Sequence, residues 1–129
     1  LRDTLGATGM QSKGAQMAFD EEQAERLRDR LAGHIGITEK KMFGGLCFLL
    51  NGNMLAGIHG AKMGGGAMFR VGPEREAAAL ALPGTAPMTM TGRRMRGFVD
   101  APADLLEDEA QLAAILALAM EYVSAMPAK

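Results

Sequence analysis

The stretch E-K-K-M-F-G-G-L-C-F-L-L-N-G-N-M-L-A-G-I, Glu39 to Ile58, decides the fold. Two readings compete: a phosphate-binding loop built on Lys40, Lys41 and the glycine pair, or strands joined by a tight turn. A Walker-type loop needs Gly, four residues, then Gly-Lys-Ser/Thr entering a helix, so that backbone N–H groups and the lysine converge on the anion. Here the lysines precede Gly44-Gly45 and a strand-like apolar run follows. Asn51-Gly52-Asn53 is a strong turn signal, because Asn and Gly tolerate the positive φ of a tight hairpin. The stretch therefore reads as a hairpin, with Met42, Phe43, Gly44 and Gly45 at a strand bend or bulge where glycine relieves the backbone. With its turn on Asn51-Gly52, Phe48 is expected to face Leu55, Leu49 to face Met54 and Cys47 to face Ala56. Both faces are then apolar, so the second must be covered by more of this chain or by another copy.

Working outward, the spacing predicts strands over Thr38–Phe43, Leu46–Leu50 and Met54–His59. Upstream, Asp20 and Gln23 are placed as a capping box, with Glu21 and Glu22 at the positive end of the helix dipole. Ala24, Leu27 and Leu31 recur at helical spacing, and Gly33 marks the stop. Downstream come a glycine-rich connection from Gly60 to Gly66, a strand over Ala67–Val71, and a short helix over Glu74–Leu82 started by Gly72-Pro73 and stopped by Pro83-Gly84. Met88–Thr91 and Arg94–Val99 read as two more strands. A last helix, capped at Asp104, is predicted to run to about Met126 before Pro127, roughly 30 to 35 Å. Its apolar character extends round to Ala113, Ala117 and Leu118, so it is expected to be buried on more than one side. The expectation is an α+β fold, a largely antiparallel sheet with an N-terminal helix, a short middle helix and a long C-terminal helix, in the order α-β-β-β-β-α-β-β-α. Self-association is expected through the open sheet face or the last helix.

A chain of 129 residues holds one domain. Lys and Arg number 14 against 15 Asp and Glu, a net charge of -1. That balance lacks the basic excess of most nucleic-acid binders. The single Cys47 permits no internal disulfide and suits a reducing cytoplasm. Leu112–Met120 falls far short of the roughly 20 apolar residues of a spanning helix. Residues 1–16 lack an apolar signal core and read as a disordered leader or upstream extension, with the domain starting near Met17.

The candidate sites each have an ordinary structural explanation. Lys62 with Gly64-Gly65-Gly66 has the makings of an anion-binding nest, although a floppy loop accounts for it. His34 and His59 have no partners at metal-ligand spacing. A Cys47 nucleophile needs a base, and His59 shares its face only in some registers; a packed thiol is the ordinary reading. The basic cluster Arg93, Arg94 and Arg96 is the main candidate. Arg94 and Arg96 are expected to share a face with Phe98, which suits a phosphate backbone or an acidic protein. A solvated edge strand, its charges blocking edge pairing, explains them as well. The 11 methionines fit an irregular core or an adaptable surface. Neither a cofactor nor a catalytic set is expected.

The blocks E-K-K-M-F-G-G-L-x-F-L-L-N-G-N-M, F-R-V-G-P-E and P-M-x-x-x-G-R-x-M-x-G-F-V, followed by a capped C-terminal helix, resemble the TfoX (Sxy) N-terminal domain family over roughly Met17 to Pro127. This resemblance implies an α+β domain that self-associates, found in bacterial competence regulators, some of which act with the cyclic-AMP receptor protein. It implies no catalytic residues. The chain looks like the family's single-domain members, and Ile115 stands where relatives often carry tryptophan. The leading expectation is a cytoplasmic, homodimeric, non-enzymatic regulatory module with a transcription-factor partner. Two others stand beside it: a small-ligand or anion-binding protein using Lys40, Lys41 and the arginines around one groove, and a weak DNA-binding accessory.

Overall fold

The computed structural model describes residues 19–42, 44–60, 65–90 and 92–129. The expected leader, the Lys62 nest and Phe43 lie wholly or partly outside them. Asp20 caps the first helix, α1 (Glu21–Leu31), accepting from the N–H groups of Glu22 and Gln23. Gln23 does not complete a capping box. Its amide is buried, and its Oε1 accepts from the N–H of Gly66, tying α1 to the glycine-rich connection.

Six strands follow: β1 (Ile37–Met42), β2 (Gly45–Leu50), β3 (Asn53–Ile58), β4 (Ala67–Arg70), β5 (Ala86–Met90) and β6 (Arg93–Ala101). They form one antiparallel sheet in the order β1-β2-β3-β4-β6-β5. β1 and β2 pair antiparallel with Met42 opposite Gly45, so the chain reverses between them and does not bend within one direction. Asn51 and Gly52 both have positive φ, 53° and 85°, as the tight turn between β2 and β3 requires.

The pairing of β2 with β3 departs from the expected register beyond that turn. Leu49 faces Met54, but the register then shifts, so that Phe48 faces Ala56 and Cys47 faces Gly57. Leu55 is the extra residue of a β-bulge. Consecutive Leu55 and Ala56 consequently both reach the core. Leu46, Phe48 and Leu50 join them there, while Cys47 and Leu49 point to the opposite face.

Between β4 and β5 the chain makes a 3-10 turn (Pro73–Arg75) and a five-residue helix, α2 (Glu76–Leu80), shorter than expected. The long C-terminal helix is broken. A short α3 (Ala103–Glu107) stops at Asp108, whose extended backbone (φ -95°, ψ 109°) starts α4 (Glu109–Ser124) in a new direction. The Asp108 carboxylate accepts from the N–H of Gln111 and caps the new helix; Asp104 caps nothing. Replacing Asp108 by Ala is expected to lower stability by about 1 kcal/mol in urea denaturation.

The helices pack on one face of the sheet. Leu27 and Leu31 of α1, Leu105 and Leu106 of α3, and Leu112, Ile115, Leu116, Ala119 and Val123 of α4 close over Phe48, Leu55, Phe69 and Val99. The chain's last residues fold back over the β2–β3 turn, where the Asn53 side chain donates to the carbonyl of Pro127 and the N–H of Lys129 to that of Asn51.

Candidate functional site

The two expected cationic groups lie at opposite edges of the sheet. Lys40 and Lys41 are exposed on the edge strand β1, whereas the arginines sit on β6 beside the other edge strand. One groove lined by both sets is therefore not formed. On β1 the charges Glu39, Lys40 and Lys41 guard an open strand edge. Glu39 is also held by Arg28, with oxygens 2.7 and 2.9 Å from the guanidinium, and Arg28 reaches Glu21 and Glu25 as well. The Arg28 hydrogen bond holds the Glu39 carboxyl below the usual range.

Cys47, His59 and Asp100 share the sheet face away from the helices, because Cys47 pairs with Gly57, two residues before His59. His59 Nε2 lies 2.5 Å from Asp100 Oδ1, and that pairing commits the imidazole to the carboxylate. The thiol is buried, its one hydrogen-bond contact among the described residues the Phe48 carbonyl at 3.8 Å, and burial pushes its pKa up. A raised pKa disfavours the thiolate a nucleophile needs. Among the described residues no group of three or more His, Cys, Asp or Glu side chains is arranged to hold a metal, and no helix is long and apolar enough to cross a membrane.

β6 lies between β4 and β5, but β4 pairs only with its second half, Phe98–Ala101; Arg93 and Arg94 pair with β5 alone, so the arginines stand on a stretch of β6 whose other side is open. Arg94 and Arg96 line a cleft of about 540 Å³ with Pro73, Glu76, Ala77 and Leu80. Gly97, at φ 86°, turns the strand beyond them, and Phe98 lies under the Arg70 guanidinium, 5.5 Å from its ring centre. Behind the cleft, the buried Glu76 carboxylate accepts from Arg94 Nη2 and, at 3.1 Å, from the N–H of Gly97. The Arg94 hydrogen bond holds the Glu76 carboxyl below its ordinary value against the opposing effect of burial. Glu76 carries no sequence signal, because its partners stand 18 and 21 residues away and only the β-sheet brings them to it.

A second feature lies between the end of α1 and α4. A groove of about 360 Å³ is lined by Leu31, His34, Ala113, Leu116, Ala117 and Met120, with Arg30 and Glu121 at its margins. Immediately after His34 stands Ile35, 95% exposed. A large aliphatic side chain between Gly33 and Gly36, in a loop with nothing to pack against, is the signal in the sequence that identifies it.

These features define a two-layer α+β domain with one antiparallel sheet and its helices on one face. Residues 29–123, well over half of the chain, match the family model of the TfoX N-terminal domain. The protein belongs to that family. Neither the curated proteins nor the solved structures contain a significant match.

Proposed function

We propose that this TfoX N-terminal domain is a non-enzymatic interaction module of the cytoplasm that pairs with a second copy of itself and binds a protein partner. The observation that carries this reading is Ile35, wholly exposed beside an apolar groove on the same surface. A two-fold axis between knob and groove seats each Ile35 in the other copy's groove, the isologous arrangement of most homodimers. Arg30, His34 and Glu121 bring polar groups of both signs to the groove, Arg30 also contacting Glu109 and Glu121 pairing with Arg75. Burying each Ile35 contributes about 1.5–3 kcal/mol. The expected result is a dimer at micromolar concentration in sedimentation equilibrium, weakened about tenfold or more by Ile35→Asp. A wild-type monomer or a tetramer at that concentration refutes the reading.

Action by binding fits the chemistry of the polar groups, since the Cys47 thiol is disfavoured as a thiolate and His59 is tied to Asp100. A buried, unpaired cysteine suits a reducing compartment. The partner class we propose is a transcription factor, the reading that the family resemblance favours for a regulatory module, competence being the process it points to. Direct DNA contact ranks lower, because Glu76 neutralises one of the two cleft arginines. Co-purification from native cells with nuclease present tests this: a recurring transcription factor supports it, and recovery lost on nuclease treatment replaces it with a nucleic-acid-mediated association.

A further inference from the structure

The geometry points to the cleft between Pro73–Leu80 and β6 as a binding site for a small amphiphilic anion, a carboxylate or phosphate monoester bearing a short apolar group. Its volume, about 540 Å³, falls within the ordinary range of small-molecule sites. One wall is apolar, made by Pro73, Ala77 and Leu80; the other carries the guanidinium groups of Arg94 and Arg96. Such a division matches a ligand with one charged end and one greasy end.

The charge balance in the cleft is set by Glu76. Both of its oxygens are engaged internally, one by Arg94 and one by the N–H of Gly97, and the carboxyl is held ionised by those donors. Each oxygen therefore already has one donor from within the protein. The carboxylate offsets one of the two arginines and leaves one positive charge. Arg94 gives Glu76 only part of its five-donor fork, and its side chain remains 57% exposed, so its other N–H groups are presented at a fixed orientation. Arg96, exposed and without an ion pair among the described residues, supplies the second fork. Gly97 allows this closeness of strand and turn: a Cβ there would meet Pro73 at 3.2 Å. Glu74 and Arg75 of the Pro73–Arg75 turn do not line the cleft, and Arg75 is paired with Glu121 of α4.

The test is titration of the intact protein, by calorimetry and by amide chemical shifts, with hexanoate and hexyl phosphate as probes and with acetate, inorganic phosphate and hexanol as controls. The expected result is millimolar or tighter binding of the two alkyl anions, weaker response to the controls, and shifts centred on Ala77, Leu80, Arg96 and Gly97. Arg96→Gln, at an exposed position that leaves the Glu76 contacts in place, is expected to weaken binding about tenfold or more. The same titration on the Ile35→Asp variant separates this site from self-association, and unchanged binding is expected there. No response to either alkyl anion, equal response to the controls, or full affinity in Arg96→Gln overturns the assignment.

Discussion

Gly45→Ala is expected to remove about 3 kcal/mol or more of stability. Gly45 has no unusual backbone conformation. Its constraint is steric: a Cβ there would come within 2.0 Å of the Ile58 carbonyl oxygen and 3.1 Å of the Gly60 N–H nitrogen. Those atoms cannot give way cheaply, because β3 is an interior strand whose Ile58 pairs with Leu46 on one side and Ala67 on the other. Its neighbour Gly44 isolates the alternative explanation. Gly44 has φ 75° and nothing within 4 Å of a Cβ, so Gly44→Ala meets only the cost of a left-handed residue, about 1 to 2 kcal/mol. Urea denaturation of the two variants side by side decides the point. If Gly45→Ala costs no more than Gly44→Ala, the close approach of β2 to Ile58 is wrong.

That pair of glycines shows where sequence reasoning succeeds and stops. The motif excludes a Walker loop, yet its glycines read as a bend or bulge where the structure reverses the chain. Local preference cannot say which glycine is conformational and which is needed for a close approach, since the second depends on a strand thirteen residues away. The same division recurs elsewhere. Asn51-Gly52 is legible because the required φ values are properties of those two residues. The Leu55 bulge is not, because Leu46–Leu50 and Met54–Ile58 are apolar on both faces and alternation within them has nothing polar with which to fix the register.

The break at Asp108 is hidden for a related reason. Apolar residues continue at helical spacing through it, and Asp104 offers an equally plausible cap; only the packing of Leu105, Leu106 and Leu112 into one core requires the chain to turn between them. Among candidate sites, Arg94 and Arg96 are visible as a cluster, but their place in a depression beside Pro73, Glu76, Ala77 and Leu80 depends on the fold and not on the cluster. Lys40 and Lys41 were equally visible, yet strand order carries them to the far edge. Strand order depends on the β4–β6 pairing across residues 71–92, which no local pattern encodes.

Removing the Glu76 carboxylate is expected to produce the second large effect, with a distinctive dependence on pH. Glu76→Ala leaves the buried N–H of Gly97 without its acceptor, costing about 1 to 3 kcal/mol. It also dissolves the pair with Arg94, worth at most about 1 kcal/mol because Arg94 is largely in solvent. The expected total is about 1 to 4 kcal/mol. Glu76→Gln keeps a carbonyl oxygen for Gly97 and is expected to lose less, but it removes the proton linkage. Arg94 holds the Glu76 carboxyl below its ordinary value of 4.5, so the folded protein binds this proton less readily than the unfolded chain. Its stabilisation is thus fully present above that ordinary value and is lost as pH falls through the lower folded-state value. Glu39, lowered in the same direction by Arg28, loses its contribution in the same acid window. Stability measured from neutral pH down to strongly acidic pH should therefore fall less steeply in Glu76→Gln than in the wild type, with Glu39 supplying part of the slope that remains. Parallel curves for the two proteins would show that Glu76 is not held ionised by Arg94. They would also remove the fixed guanidinium on which the cleft's affinity for an anion depends.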